Sequence, residues 1–217
     1  MTTFLDHAHN KSSLSAFGDS MTAGASVPEN VRWANLFAAQ ANVVLRNKGI
    51  SGTVMQGSPD ATGRPRADNG VGRYQRDLLG TDRSDLVAIL YGCNDARYVA
   101  APETLNLAGL ERDFVAVVQG LLAAGFAPDD ICIGSPAYIT DEGFDVGGDA
   151  FSGQSRAEYD RHVACVRAIA TRFGTFYAPV NEATAARAED LILADKIHPN
   201  HEGHAVIAAA FASAHKI

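Results

Sequence analysis

The sequence predicts an α/β fold in which a parallel sheet is covered by helices on both faces. Short apolar runs of strand length alternate along the chain with longer amphipathic segments. The run over 86–91 is apolar at almost every position, which is typical of a central parallel strand buried on both faces. No repeat, linker or low-complexity segment interrupts the sequence. We therefore expect one domain over 1–217, opening with a polar N-terminal arm over 1–12.

Hydrophobic periodicity places five strands and three helices. The predicted strands are 14–17, 43–45, 86–91, 131–133 and 175–177. The clearest helix has apolar residues three and four apart from Leu107 to Leu122 and ends at Gly125. A second helix contains 159–170, and a third runs from about Asn200 to the C-terminus. The stretches 57–72 and 140–153 resist assignment, and both are candidate substrate loops or plain surface excursions.

Composition excludes several classes of function. The net charge of −7 argues against nucleic acid or an anionic membrane as the main partner. Arg64, Arg66 and Arg73 are close in sequence and could still form a local basic patch. No apolar run reaches membrane-spanning length, and the N-terminus lacks the apolar core of a signal peptide. We expect a soluble, cytoplasmic protein without membrane insertion; export of a trimmed chain is the alternative.

The three cysteines do not form a recognisable framework. Cys93, Cys132 and Cys165 lie far apart in sequence, with neither a CxxC pair nor zinc-ligand spacing. We expect buried or half-buried free thiols.

A candidate nucleophile follows the first predicted strand. Ser20 lies in the segment 17–24 (FGDSMTAG), where an apolar strand ends in a Gly-Asp-Ser turn. A serine at this turn projects from the carboxyl edge of the sheet, where ligands bind in α/β proteins. The alternative is a serine that only caps a helix.

A candidate base and its carboxylate partner lie near the C-terminus. A hydroxyl is a poor nucleophile until a neutral imidazole takes its proton, and a carboxylate must orient that imidazole. Asp195 and His198, in DKIHP over 195–199, can supply both groups, with Pro199 holding the loop and starting the final helix. The alternative is an exposed histidine near a helix N-terminus.

Two further segments offer donors for an oxyanion. Gly52 ends NKGISG over 47–52, and Asn94 lies in GCND over 92–95, directly after the most apolar strand. A tetrahedral oxyanion needs preorganised donors, which the N–H groups of Ser20 and Gly52 and the amide of Asn94 could provide. Gly52 could instead only serve a turn, and Asn94 could only cap the following segment.

These four segments, in this order, resemble the GDSL/SGNH hydrolase family over nearly the whole chain. The matching blocks are 18–24, 47–52, 92–95 and 195–199, the last continuing into NHEGH over 200–204. Met21 stands where the family name has leucine. The resemblance implies a three-layer α/β/α sandwich of the flavodoxin-like kind, with a mainly parallel five-stranded sheet.

The resemblance also implies the role of each site residue. Ser20 would be the nucleophile and one oxyanion donor, Gly52 and Asn94 the other donors, His198 the general base and acid, and Asp195 its orienting carboxylate. No cofactor or metal would be required. The expected activity is hydrolysis of short-chain or acetyl carboxylic esters, including acetylated sugars, through an acyl-enzyme.

Several alternatives stay open. The same acyl-enzyme could make the chain an acyltransferase, a thioesterase or a lysophospholipase, and a non-catalytic carbohydrate-binding relative is a remote possibility. His198, His201 and His204 repeat at three-residue spacing, but positions six apart on a helix diverge, which disfavours a metal site. The sequence gives no indication of the oligomeric state.

Overall fold

Five parallel strands form the central sheet of the computed structural model, which describes residues 2–24, 26–60, 62–97, 105–145 and 155–217. The strands are β1 (Ser13–Gly18), β2 (Val44–Gly49), β3 (Leu86–Leu90), β4 (Ile131–Gly134) and β5 (Phe176–Ala178). Their order is β2-β1-β3-β4-β5, and every neighbouring pair is parallel. The predicted five-stranded parallel sheet is confirmed, with the apolar strand β3 at its centre.

The described residues form ten α-helices between and around these strands. They are α1 (Phe4–Ala8), α2 (Ser20–Ala23), α3 (Trp33–Ala41), α4 (Gly70–Leu78), α5 (Cys93–Arg97), α6 (Leu107–Ala123), α7 (Arg156–Phe173), α8 (Val180–Ala185), α9 (Ala188–Leu191) and α10 (His201–Ala212). The three helices predicted from periodicity correspond to α6, α7 and α10. Asn200 caps α10 by accepting the N–H of Gly203, so the helix begins just after Pro199.

Two apolar clusters pack on opposite faces of the sheet. Alternate residues of β3 divide between them: Ala88 contributes to one cluster, and Val87 and Ile89 contribute to the other. Helices α1, α3 and α10 supply the first cluster, and α4, α6 and α7 supply the second. This three-layer arrangement leaves the carboxyl ends of the strands uncovered by either helix layer, and the candidate site lies there.

Strand β2 is longer than its apolar residues predict. The pattern indicated 43–45, whereas the strand extends to Gly49 through the polar residues Arg46, Asn47 and Lys48. It is the edge strand of the sheet, and Val44 is 63% exposed, so burial does not require an apolar sequence there.

The N-terminal segment is not the polar arm expected over 1–12. Residues Phe4–Ala8 form helix α1, capped by Thr3, and the side chains of Phe4 and Ala8 are completely buried. Phe4 stacks on Phe37 with ring centroids 5.3 Å apart, and His7 contacts Asp130 at 3.0 Å. The apolar residues are few, but they are four apart and therefore share one face of the helix.

The two unassigned stretches have different outcomes. Residues 57–60 and 62–69 form an irregular loop with one isolated bridge between Pro59 and Pro65, and α4 begins at Gly70. Of 140–153, the residues Asp141–Asp145 form a 3₁₀ helix, and 146–153 lie outside the described residues. Cys93 and Cys132 are buried and Cys165 is half-buried, all three as free thiols, as predicted. None of the helices in the described ranges combines the length and apolar content needed to cross a bilayer.

Candidate active site

Ser20 lies at the carboxyl end of β1, as its sequence position predicts. The strand ends at Gly18, and Asp19 then caps α2 by accepting the N–H of Met21 at 2.9 Å, which makes Ser20 the first residue of the helix. Helix α2 lies directly against the end of β2: a Cβ added at Gly49 would be 2.2 Å from the Ala23 nitrogen. A glycine at this position is therefore needed for the helix that carries Ser20 to approach the sheet.

The loop before α10 presents His198 and Asp195. One oxygen of Asp195 accepts the backbone N–H groups of Ile197 and His198 at 3.0 and 2.9 Å, which closes the loop on itself. The N–H of Leu193 donates to the His198 carbonyl at 2.8 Å, and Asn200 donates to Leu191 at 2.8 Å. These bonds fix the His198 backbone from both sides.

A continuous hydrogen-bonded chain joins the three side chains. His198 Nδ1 lies 2.7 Å from Asp195 Oδ2, and His198 Nε2 lies 2.9 Å from Ser20 Oγ. Since an ionised carboxylate can only accept, the ring donates its Nδ1 proton to Asp195 and keeps Nε2 as the acceptor for the Ser20 hydroxyl. Burial alone would raise the pKa of Asp195, but hydrogen bonds from the His198 and Ile197 backbone and from the His198 ring hold it below its ordinary value.

Gly52 and Asn94 meet Ser20 at the same cavity. Gly52 has φ +77°, a conformation that favours glycine, within the turn that follows β2. Among the described residues, no acceptor is bonded to the N–H of Ser20 or of Gly52. Asn94 is 3% exposed, and its amide donates one hydrogen to the Thr53 carbonyl at 2.9 Å, which leaves the second for a ligand.

Asp95 fixes the segment that follows Gly52. Its two oxygens accept the backbone N–H groups of Met55 at 2.8 Å and Gln56 at 3.0 Å, and the carboxylate is completely buried. Burial raises the pKa of Asp95 in spite of these donors. The adjacent residues Asn94 and Asp95 thus hold the chain downstream of Gly52 at three points, which sets the position of the Gly52 N–H.

A second buried carboxylate precedes the serine. Asp19 is 1% exposed, and burial raises its pKa to about 7, against the opposing effects of the Met21 N–H and of Arg97 and Arg73. Burial therefore favours the neutral form of the carboxyl that directly precedes Ser20.

Two adjoining cavities lie at this edge of the sheet. The smaller, of about 210 Å³, is lined by Ser20, Ser26, Ser51, Gly52, Asn94, Arg97 and His198. The larger, a groove of about 520 Å³, is lined by 50–53 and by Asp60, Thr62 and 64–68, and it shares Ser51 and Gly52 with the first. The stretch 57–72, one of the two candidate substrate loops, thus borders the site.

Sequence reasoning missed other residues of the site. Arg97 lines the smaller cavity at 4% exposure, with Nη1 3.5 Å from the Asn94 side-chain oxygen. Arg73 does not belong to a basic patch with Arg64 and Arg66, since it is 2% exposed and bonded to backbone beneath the site. The four-residue spacing between Arg73 and its ion-pair partner Asp77 was the one signal available in the sequence.

The three C-terminal histidines have separate surroundings. His198 faces Ser20, whereas His204 is buried and its Nδ1 accepts the backbone N–H of Trp33 at 3.2 Å. His201 is exposed on the first turn of α10. Within the described ranges, no group of three His, Cys, Asp or Glu side chains is arranged to hold a metal ion.

This geometry agrees with the result of a family comparison. The model of the GDSL-like Lipase/Acylhydrolase family matches residues 16–206, and the chain belongs to this family of carboxylic ester hydrolases. No curated protein sequence matches the chain significantly.

Solved structures with the same fold are distant in sequence. A lipase/acylhydrolase from Enterococcus faecalis is 17% identical with a TM-score of 0.71, covering 93% of each chain. An acetylxylan esterase from Geobacillus stearothermophilus, solved as a catalytic mutant, is 19% identical with a TM-score of 0.67, covering 92% of each chain. The α/β hydrolase LAE5 from the metagenome of Lake Arreo is 23% identical with a TM-score of 0.62, covering 92% of this chain and 93% of its own.

Proposed function

We propose that the protein hydrolyses short-chain or acetyl carboxylic esters through an acyl-enzyme formed on Ser20. The hydrogen-bonded chain from Ser20 through His198 to Asp195 carries this proposal. A serine hydroxyl needs an acceptor for its proton and the acceptor needs a fixed tautomer, and the two distances of 2.9 and 2.7 Å supply both.

The steps follow from these contacts. The ester carbonyl binds with its oxygen among the N–H groups of Ser20 and Gly52 and the second amide hydrogen of Asn94. His198 takes the Ser20 proton as Oγ attacks the carbonyl carbon, then gives that proton to the leaving alcohol. Water, deprotonated by His198, attacks the acyl-enzyme, and the carboxylic acid leaves as Ser20 regains its proton. Asp195 stays ionised throughout, consistent with the direction of its pKa shift.

The dimensions of the two cavities support a small acyl group and a polar alcohol. The cavity at Ser20, about 210 Å³, is below the roughly 300–1,000 Å³ of a pocket for a drug-sized ligand. Seven of the eleven residues that line the adjoining groove are polar or charged, among them Ser51, Thr62, Arg64 and Arg66. An acetylated sugar would place its acetyl group in the cavity and its hydroxyl groups along this groove.

The test is hydrolysis of nitrophenyl esters of increasing acyl length, together with acetylated sugars. We expect kcat/KM to be highest for acetyl and to fall as the chain lengthens, with a burst of nitrophenol if deacylation limits turnover. Ser20→Ala and His198→Ala should each lose about 10⁴-fold or more in kcat. Ser213→Ala is a matched control, because it removes an exposed hydroxyl at the end of α10 that donates to the Ala209 carbonyl and lines neither cavity, and it should retain wild-type activity.

Two results would contradict the proposal. Ester turnover by Ser20→Ala at the wild-type level would exclude Ser20 as the nucleophile. Preference for long acyl chains would contradict the assignment of the small cavity to the acyl group. The same assay with a competing alcohol separates hydrolase from acyltransferase, since only a transferase favours the alcohol over water as acceptor.

A further inference from the structure

We propose that Arg73 is a positioning residue for the oxyanion hole. Its side chain joins, through hydrogen bonds, the three chain segments that carry the oxyanion donors. The inference rests on the proposed ester hydrolysis, because the geometry it explains is that of Ser20, Gly52 and Asn94. Each of these donors follows a different strand, so their mutual distances depend on what connects the strand ends.

Arg73 contacts two of these segments directly. From α4 its Nη2 donates to the Gly18 carbonyl at 2.9 Å and to the Tyr91 hydroxyl at 2.6 Å. Gly18 lies two residues before Ser20, and Tyr91 lies three residues before Asn94. A single nitrogen therefore ties the end of β1 to the end of β3.

A directed series of hydrogen bonds reaches the third segment. Since the Tyr91 oxygen accepts from Arg73, its own hydrogen goes to Thr53 Oγ1, 2.9 Å away. Thr53 Oγ1 in turn donates to the Ile50 carbonyl at 2.8 Å and closes the turn that contains Gly52. Burial raises the pKa of Tyr91 to about 12, so its hydroxyl keeps the hydrogen that this series requires.

Further bonds close the network on itself. The Ile50 N–H donates to the same Gly18 carbonyl at 3.0 Å, and the Thr53 carbonyl accepts the Asn94 amide at 2.9 Å. The turn after β2 is thus bonded directly to the segments that follow β1 and β3, and Arg73 joins those two segments to each other.

The arginine side chain of Arg73 fits a positioning role better than a role in packing alone. Arg73 is 2% exposed, its guanidinium lies 4.1 Å from the Phe17 ring centroid, and Nη1 pairs with Asp77 at 2.5 Å. For stability alone, a buried ion pair can be replaced by apolar side chains of similar volume. An apolar side chain cannot supply two N–H groups to Gly18 and Tyr91, and a lysine lacks the planar fork that reaches both and Asp77 together.

The test compares Tyr91→Phe and Arg73→Lys with two matched controls. Tyr177→Phe removes the hydroxyl of another buried tyrosine, on β5. Arg83→Lys changes another arginine that lies over an aromatic ring, Phe126 at 4.0 Å, and that donates to a backbone carbonyl. Arg83 precedes β3, so it lies at the amino ends of the strands, away from the site. All variants are titrated with a fluorophosphonate, so that kcat refers to competent Ser20 only.

The expected result is a split between kcat and KM. Tyr91→Phe should lower kcat on nitrophenyl acetate by about 10- to 100-fold with KM nearly unchanged. Displaced donors weaken the stabilisation of the oxyanion in the transition state more than they weaken binding of the ester. The affinity for a boronic acid, whose adduct on Ser20 places an oxygen among the donors, should fall in parallel. Arg73→Lys should lose at least as much, and both controls should keep wild-type kcat and boronate affinity.

The proposal is overturned if titrated Tyr91→Phe keeps wild-type kcat and boronate affinity while only its melting temperature falls. If Arg73→Lys does not fold, Tyr91→Phe still decides, since it removes one hydroxyl and no volume of the ring. Absence of ester turnover in the wild type would instead contradict the proposed function, which keeps the two failures distinct.

Discussion

His198 Nε2 lies 2.9 Å from Ser20 Oγ, although the two residues are 178 positions apart in the sequence. The serine is fixed by the turn between β1 and α2, and the histidine by the loop that Asp195 closes before α10. Since neither element carries both groups, the contact depends on how α10 packs against the sheet. Substitutions can therefore alter the serine side and the histidine side of this contact separately.

Asp195→Asn tests the orientation of the imidazole. One side-chain oxygen can still accept from the Ile197 and His198 backbone, but an amide N–H would then face His198 Nδ1 and favour the tautomer that leaves no acceptor for Ser20. We expect kcat to fall by about 10³–10⁴-fold with little change in melting temperature. Steady-state kinetics measure this, with exposed Asp190→Asn as the control. Wild-type kcat in Asp195→Asn would show that the carboxylate does not orient the base.

Asn94→Ala tests the oxyanion donor. Loss of the amide should lower kcat by about 10²–10³-fold, with a smaller change in KM, because the donor acts on charge that develops in the transition state. The variant also loses the bond to the Thr53 carbonyl, so the melting temperature is measured alongside. If the loss of activity disappears once kcat is corrected for the folded fraction, Asn94 has only the structural role of holding Thr53.

The sequence was sufficient to locate all five strands and to select the side chains proposed to carry the chemistry. Continuous apolar runs and helical periodicity reflect burial, so they placed β3, α6 and α7 directly. Ser20, Asp195 and His198 were selected because the proposed chemistry needs those residue types, and the structure brings the three side chains into contact. Arg73 could not be found in this way, because its partners are a carbonyl and a hydroxyl from distant segments, which no pattern encodes.

The sequence analysis also missed the full length of the edge strand β2 and the short helix α1. Strand β2 continues through polar residues because it lies at the sheet edge, where one side needs no apolar cover. Helix α1 has five residues, too few for a periodicity to be distinguished from chance, and it depends on the tertiary packing of Phe4 and on the capping box of Thr3 and Asp6.

Phe4→Ala tests whether α1 belongs to the core. The ring is completely buried and stacks on Phe37, so its loss should lower the free energy of unfolding by about 3–5 kcal/mol. Urea denaturation measures this, and kcat per folded molecule should not change. The control is His9→Ala, an exposed position, where about 0.5 kcal/mol or less is expected. A similarly small effect at Phe4 would mean that the segment is detached in solution.

His204→Asn tests a pH-dependent contribution to stability. Burial, with help from Arg32, lowers the pKa of His204 from 6.5 to about 4. The unfolded chain therefore binds a proton that the folded chain does not, and wild-type stability falls as the pH drops from about 6.5 to about 4, by on the order of 3 kcal/mol. The asparagine oxygen can still accept the Trp33 N–H, so the variant should lose part of this dependence in urea titrations at pH 7 and 4.5. Parallel curves for the two proteins would contradict the assignment.

Asp19→Asn tests a contribution to the free energy of unfolding that is lost as the pH rises. The pKa of Asp19 is raised from 3.8 to about 7, chiefly by burial, so the folded chain binds the additional proton in this range. Its contribution is complete below about pH 4 and is lost as the pH rises through about 7. The asparagine can keep the bond to the Met21 N–H without ionising, so its free energy of unfolding relative to wild type should increase from pH 5 to pH 8.5. A constant difference between the two proteins would show that Asp19 does not titrate in this window.

The groove along 60–68 borders Ser51 and Gly52 but contributes none of the side chains of the hydrogen-bonded chain at Ser20. The wall proposed to contact the alcohol and the groups proposed to break the ester bond therefore lie on different parts of the polypeptide. A loop of this kind can be exchanged or redesigned as a unit. Selectivity for the alcohol can then be varied separately from acyl transfer to Ser20, as long as Arg66 keeps its 3.4 Å bond to the carbonyl of Gly52.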